Sequence, residues 1–198
     1  MEHKAAVEGH AGPPGIPRKS VRGGFTIAEV AMAAAVLTIA AGGLLSSIVA
    51  SMALNRVNNE SGLAQAYARR AIERVQSVPF ADAFATFNSN PNDDPAGPGT
   101  APGATFEAFG LTAVPPAVGA MAGEIIFPIV QVGGVPQLRE DVVDIPLGMP
   151  RDLNGDGLPP DALDHSGDYR VLPVRVRVRW RGVSGVRTIT IETMLTAR

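Results

Sequence analysis

The chain contains no cysteine, which excludes disulfide bonds, thiolate nucleophiles and cysteine-ligated metal sites. Lysine is almost as scarce, since Lys4 and Lys19 are the only two and both lie in the first 19 residues. The rest of the chain therefore has no P-loop lysine and no Schiff-base lysine. His165 is the one histidine beyond residue 19, and no G-x-S-x-G turn is present to support a serine nucleophile. These absences argue against an enzyme.

Charged residues are also few. They make up 18% of the 198 residues, and the formal net charge is −2. Overall charge therefore gives no reason to expect binding to nucleic acid or to an anionic surface. Proline and glycine are abundant instead. With 17 and 22 residues, they make up about a fifth of the chain, against ~12% in an average protein. Much of the chain is therefore expected to be turn and loop.

One long apolar run follows the polar N-terminus. Residues 25–54 contain a single charge, Glu29, and this length exceeds the ~20 apolar residues that cross a bilayer as a helix. Arg18, Lys19 and Arg22 precede the run. Because positive charge stays on the cytoplasmic side, the pattern predicts a single-pass protein with a cytoplasmic N-terminus and the bulk of the chain across the membrane.

The helical pattern continues beyond the apolar run and becomes amphipathic over residues 55–78. Charged side chains, Glu60 among them, fall largely on one face, and apolar ones recur at three- and four-residue steps on the other. Pro79 is expected to end the helix. The apolar stripe needs a partner, and a sheet is the expected one. Its members are Val57, Ala64, Tyr67, Ala71, Ile72, Val75 and Val78.

The C-terminus carries the strongest strand pattern. Apolar residues alternate with arginine over 174–181 and with threonine or glutamate over 188–195, on either side of a glycine-bearing turn. Two such runs predict an antiparallel hairpin over 174–196 with one buried and one solvent-exposed face. The predicted fold class is α+β, with a long N-terminal membrane-spanning helix packed on a small antiparallel β-sheet.

The middle of the chain gives weaker patterns. Residues 88–123 are rich in proline and glycine and are expected to form a surface loop with at most one short strand. Residues 124–132 resemble a strand, which Pro128 would confine to a sheet edge or a bulge.

A motif marks the junction before the apolar run. The residues Gly23-Gly24-Phe25-Thr26-Ile27-Ala28-Glu29 follow a basic cluster and precede the long helix. In that setting they resemble the type III signal of type IV prepilins and type II secretion pseudopilins, and the predicted fold is pilin-like. The segment 68–80 and the alternating C-terminal strands are similar to minor pilins of the type IV pilus modification group. The resemblance does not extend to residues 88–165.

The resemblance implies a precursor in the bacterial inner membrane. A prepilin peptidase of the inner membrane would cut between Gly24 and Phe25 and add a methyl group to the new N-terminus of Phe25. The C-terminal domain would be periplasmic, with a place in a pilus or pseudopilus. The implied organisation is a leader over 1–24, a transmembrane segment over 25–54, an amphipathic segment over 55–78 and an extracytoplasmic domain over 79–198 that ends in the hairpin.

The implied function is structural. The chain would be a minor pilin or minor pseudopilin assembled into a type IV pilus or a type II secretion pseudopilus. Its implied partners are the prepilin peptidase, other pilin or pseudopilin subunits, the inner-membrane assembly platform and membrane lipid. Glu29, the acidic residue five positions into the mature chain, is expected to pair with the N-terminal amine of a neighbouring subunit. Unpaired among lipid tails, its carboxylate would cost about 2.5–3.5 kcal/mol.

Several alternatives stay open. The apolar run is also compatible with a secretory signal peptide cut within it or with an uncleaved signal anchor. Glu29 is also compatible with a place at the membrane interface, and Gly42-Gly43 with close helix packing or with local unwinding. Two alternative functions also stay open: a DNA-binding minor pilin of an uptake system, and a membrane-anchored extracytoplasmic binding module that does not polymerise.

An acidic loop, defined here as residues 139–168, carries eight acidic residues and two arginines. Within it, residues 152–157 match the first half of a calcium-loop pattern, with oxygen ligands at alternate positions and then a glycine. Leu163 stands where such loops usually have a glutamate, and Asn-Gly and Asp-Gly also form plain turns. The candidate calcium ligands are Asp152, Asn154, Asp156, the carbonyl of Leu158, Asp161 and Asp164.

Four arginines form a row on one face of the predicted hairpin. Arg175, Arg177, Arg179 and Arg181 either contact DNA phosphates or pair with Glu192 and the acidic loop. Trp180 points to the opposite face, so the row lacks the aromatic side chains on which single strands usually stack. Ion pairing is favoured, and nucleic acid is not an expected partner.

Overall fold

A computed structural model describes residues 23–114, 121–183 and 185–197. Gly23 and Gly24 are the part of the predicted leader that lies within these ranges. The chain divides into two compact units, the first ending at Ser47 and the second beginning at Ile48. The helices are α1 (Ile27–Ser77) and α2 (Ala83–Phe87), and the strands are β1 (Thr105–Phe106), β2 (Gly123–Ile126), β3 (Ile129–Val132), β4 (Val135–Leu138), β5 (Val171–Gly182) and β6 (Gly185–Thr196).

The N-terminal part of α1 is apolar on all sides and exposed. Thirteen large apolar side chains from Phe25 to Leu54 are exposed to solvent. An 18-residue window of α1 has a mean hydropathy of 2.0, and none of that window is buried. By length and composition, α1 is therefore able to cross a membrane.

The C-terminal part of α1 buries one stripe, as predicted. The stripe is built mostly from small residues, which allow the helix backbone to approach the sheet closely. Pro79 follows α1 at a distance of two residues, in agreement with the predicted end of the helix. The buried residues of α1 are Glu60, Ala64, Ala68, Ala71 and Val75.

The position of Glu60 corrects the sequence prediction, which placed it on the polar face. Glu60 is buried, with only 8% of its surface exposed. One carboxylate oxygen accepts a hydrogen bond from the indole N–H of Trp180 at 3.2 Å, and the other lies 3.1 Å from Nε of Arg56. A buried carboxylate requires such hydrogen-bond partners. The sequence pattern of α1 alone does not show that Trp180 of β5 is one of them.

The main sheet has four antiparallel strands in the order β1-β2-β5-β6. β5 and β6 form the predicted hairpin, which begins three residues earlier than predicted and has Gly182 opposite Gly185 at its turn. The inward side chains of β5, namely Val174, Val176, Val178 and Trp180, share one core with the buried stripe of α1. The α+β fold and the packing of the helix on the sheet are thereby confirmed.

The prediction of one strand over 124–132 is wrong. β2 belongs to the main sheet, whereas β3 pairs with β4 in a separate two-stranded sheet. Pro128 lies between β2 and β3, where it has no N–H to continue a ladder. The N–H of Ile129 instead bonds back to the carbonyl of Phe127 at 2.9 Å, which closes a tight turn.

The acidic loop connects β4 to β5 and is anchored by apolar side chains. Leu147, Met149 and Leu153 are almost fully buried in the core. The carbonyl of Leu153 accepts hydrogen bonds from the N–H groups of Arg170 and Val171. These contacts hold a long loop against the sheet and position its acidic side chains.

Candidate functional site

The predicted processing site lies in accessible, non-helical backbone. Gly23 and Gly24 precede α1 without regular structure, and both are exposed. The side chain of Phe25 is also exposed, at 83%. A peptidase requires an accessible segment outside a helix, and glycine adds the freedom to fit a narrow cleft. The geometry of this junction is therefore compatible with cleavage after Gly24.

Thr26 and Glu29 form a capping box at the start of α1, which was not among the features predicted from the sequence. The hydroxyl of Thr26 accepts a hydrogen bond from the N–H of Glu29 at 3.2 Å, and the carboxylate of Glu29 accepts one from the N–H of Thr26 at 3.5 Å. The carbonyl of Thr26 accepts the first helical bond, from Val30. The T-x-x-E spacing is the sequence signal that identifies such a cap.

The capping box gives Glu29 a role within its own helix. It satisfies an N–H group at the helix start and places negative charge at the positive end of the helix dipole. A carboxylate has about four lone-pair sites, and the cap uses one of them. Glu29 therefore keeps the capacity to bind a cation from outside the chain.

The first three candidate calcium ligands lie in a tight turn. The carboxylate of Asp152 accepts hydrogen bonds from the N–H groups of Gly157 and Gly155, and that of Asp156 accepts one from Leu158. The bond from Gly157 contributes most to lowering the pKa of Asp152. Asn154 accepts from the N–H of Asp156. These bonds hold residues 152–158 in the conformation of a plain turn.

The other candidate calcium carboxylates are used elsewhere. Asp161 Oδ1 lies 3.0 Å from His165 Nε2, and Asp164 Oδ1 accepts a hydrogen bond from the N–H of Leu138 at 3.1 Å. Within the described ranges, no three of the predicted carboxylates bring oxygens within 4.8 Å of one another. The calcium site stays a prediction.

A different cluster forms in the same loop. Glu140, Asp161 and His165 bring their ligand atoms within 4.8 Å of one another, and Glu140 and His165 are buried. His165 is the only histidine beyond residue 19, and no sequence pattern connects it with Glu140. The sequence signal for part of this cluster is the short spacing of His165 from Asp161, four residues before it, and from Asp168, three residues after it. Glu140 is 25 residues from His165, and that separation gives no such signal.

The neighbours of His165 shift its pKa. Burial by itself lowers the pKa of the imidazole, but the hydrogen bonds to Asp161 and Asp168 and the charge of Glu140 outweigh it and raise the value above the usual range. The Nδ1 atom lies 3.1 Å from Asp168 Oδ1, on the side of the ring opposite Asp161. Positive charge on or beside this ring is therefore stabilised.

The arginine row is partly neutralised within the second unit. Arg175 forms a two-pronged pair with Asp144 at 2.6 and 2.7 Å and also contacts Glu192 at 2.8 Å. Arg177 pairs with Glu124 at 2.6 Å. The expected pairing with Glu192 and the acidic loop is confirmed at Arg175, and Glu124 is a partner that the sequence did not predict. The outermost members, Arg179 and Arg181, are exposed.

Comparison of the chain with known protein families, with curated proteins and with solved structures finds no match.

Proposed function

We propose that the protein is a pilin-like structural subunit, a minor pilin or minor pseudopilin, processed by a prepilin peptidase and assembled through its N-terminal helix. The observation that carries this proposal is α1. Its exposed apolar part begins with a capping box two residues after the predicted cut, and its other part packs on an antiparallel sheet. A subunit of a helical fibre needs both features, one to pack in the fibre core and one to hold its own domain.

Cleavage after Gly24 would leave the amine of Phe25 beside the capped start of α1. A positive charge is unfavourable at this end of the helix dipole, so the amine gains from a carboxylate nearby. Glu29 offers one on its own chain, and its remaining lone pairs are available to the amine of an adjacent subunit. In a low-dielectric helix bundle, that pairing would stabilise one axial register.

Intact-mass measurement of the membrane-extracted protein tests the processing step. We expect a chain that has lost 24 residues and gained one methyl group at Phe25. A Gly24→Val variant, with a branched side chain beside the bond to be cut, should keep its leader. An intact N-terminus in the wild-type protein would favour an uncleaved anchor, and a start further inside the apolar run would favour a signal peptide. Either result overturns the proposal.

Three variants separate the capping role of Glu29 from its charge. Glu29→Gln preserves the capping box, because glutamine also serves at this position, but removes the charge. Thr26→Ala removes the hydroxyl that accepts from the N–H of residue 29 and keeps the charge. Glu29→Ala removes the charge together with the other bond of the box, the one from the N–H of Thr26. We expect all three to be cleaved and only Thr26→Ala to enter sheared fibres. Normal incorporation of Glu29→Gln would contradict the pairing mechanism.

A further inference from the structure

His165 lies at the centre of three carboxylates in the acidic loop. Its Nε2 atom is 3.0 Å from Asp161 Oδ1 and 3.9 Å from Glu140 Oε1, and its Nδ1 atom is 3.1 Å from Asp168 Oδ1. The His165 and Glu140 side chains are 5% and 3% exposed. When the imidazole donates from Nδ1 to Asp168, the lone pair of Nε2 faces the oxygens of Asp161 and Glu140. A cation bound between Nε2 and these two oxygens would contact all three atoms.

The cluster carries much negative charge for its burial. The carboxylates of Glu140, Asp161 and Asp168 each lie within 4 Å of a ring nitrogen of His165, and the His165 and Glu140 side chains are 5% and 3% exposed. A bound cation would offset part of this charge. Glu140 is already positioned by the backbone N–H groups of Leu153 and Asn154, which bond to its Oε1.

The geometry resembles that of a metal-binding histidine. Ligating imidazoles usually donate their second N–H to a carboxylate that orients the ring, and Asp168 stands in that position. Donor atoms around a tetrahedral zinc ion are roughly 3.4 Å apart, given bonds of about 2.0–2.2 Å. The separations of 3.0 and 3.9 Å from Nε2 fall on either side of this value.

We propose that Glu140, Asp161 and His165 bind a divalent transition-metal ion such as zinc, with Asp168 as the residue that orients His165. A nitrogen ligand separates this site from a calcium site, since calcium takes oxygen ligands whereas zinc accepts imidazole together with carboxylate. Three protein ligands leave a fourth position for water. The ion would join the start of the acidic loop to its end, and the loop would thereby be pinned beside β4.

Zinc titration of the full-length chain in detergent micelles tests this site. The chain should be purified without a histidine tag, stripped with a chelator, and carry His3→Ala and His10→Ala, so that His165 is its only histidine. We expect one equivalent of zinc to bind by calorimetry and the melting temperature to rise with zinc concentration. Cobalt in place of zinc should give the visible absorption bands of a four-coordinate N/O site.

Matched variants identify the ligands. Asp161→Asn is the decisive change, because this side chain is 43% exposed and asparagine still accepts the bond from Leu163. We expect it to weaken zinc binding at least about 10-fold, and Asp168→Asn to weaken it by about 10–100-fold, as loss of an orienting partner does. His165→Ala should abolish the cobalt bands. The control, Glu124→Gln on β2, should bind zinc like its parent.

The proposal is overturned if the folded parent binds no zinc, or if Asp161→Asn binds it as tightly as the parent. It is equally overturned if calcium binds stoichiometrically while zinc and cobalt do not, a result that would favour the loop over 152–164. Circular dichroism of each variant establishes that it is folded before its binding is compared. These experiments measure metal binding by purified protein. If the pilin proposal fails, the test of the metal site is therefore unaffected.

Discussion

The two parts of α1 share one helix and meet opposite environments. Between Phe25 and Leu54, large apolar side chains are exposed on every side. Between Glu60 and Val75, only one stripe is apolar, and the sheet covers it. The distribution of apolar residues around the helix explains the difference. An amphipathic helix packs its one apolar face on its own domain, whereas a helix that is apolar on all sides needs an apolar environment that the domain does not supply.

The two glutamates of α1 make the same contrast at the level of single residues. Glu29 is exposed and caps its own helix, where its charge stabilises the N-terminus. Glu60 is buried and bonds to Trp180, 120 residues away. A carboxylate on a helix therefore serves either local or long-range structure, according to what lies against that face.

The largest expected effect is on the amphipathic part. Trp180→Ala should lower the free energy of unfolding of the second unit by about 3–5 kcal/mol, because it removes the largest buried side chain and leaves a cavity. Denaturant unfolding followed by circular dichroism measures this loss. Membrane attachment should not change. Trp180→Phe, which keeps an aromatic ring but loses the donor to Glu60, should cost less; an equal cost would mean that the hydrogen bond, not the packing, dominates.

A charge should affect the apolar part differently. Leu44→Arg, at an exposed position in the middle of the run, should oppose membrane insertion by about 2.5–3.5 kcal/mol. We expect less protein in the carbonate-resistant membrane fraction and an unchanged melting temperature for the second unit. The matched control is Gln65→Arg, on the exposed face of the amphipathic part, which should leave both measurements unchanged. If the two variants fractionate alike, the contrast between the two parts is wrong.

The smallest effect concerns the outer face of the sheet. Hydrogen bonds from Arg175 hold the pKa of Asp144 below its usual range. The pair therefore stabilises the fold fully at a pH well above the ordinary aspartate pKa of about 3.9. This contribution begins to fall below a pH of about 5 and is lost once the pH is below the lowered pKa of Asp144. Asp144→Asn should cost about 1 kcal/mol at pH 7 and almost nothing at the acid end. A cost independent of pH would exclude ionisation as its cause.

The candidate sites were predictable to different degrees. Gly24, Phe25 and Glu29 are candidates because of a short motif beside a long apolar run, and cleavage there stays a prediction. The cap formed by Glu29 depends on residues within one turn of each other, and its signal is the T-x-x-E spacing. The cluster of Glu140, Asp161 and His165 could not be predicted in this way, because Glu140 and His165 are 25 residues apart and meet only through the fold of the acidic loop. Of the proposed ligands, Asp161 was predicted for calcium, and the structure places it against His165 instead.

Elements whose pattern repeats over many residues could be predicted from the sequence: the extent of α1, its change from apolar to amphipathic, and the C-terminal hairpin. Periodicity encodes these because each side chain reports the face on which it lies. Three features depend on the tertiary fold: Pro128 separates two sheets, Glu60 is buried, and Glu140 and Asp161 lie on one side of the His165 ring with Asp168 on the other. Those outcomes depend on which distant surfaces meet, and no local pattern in the chain records that.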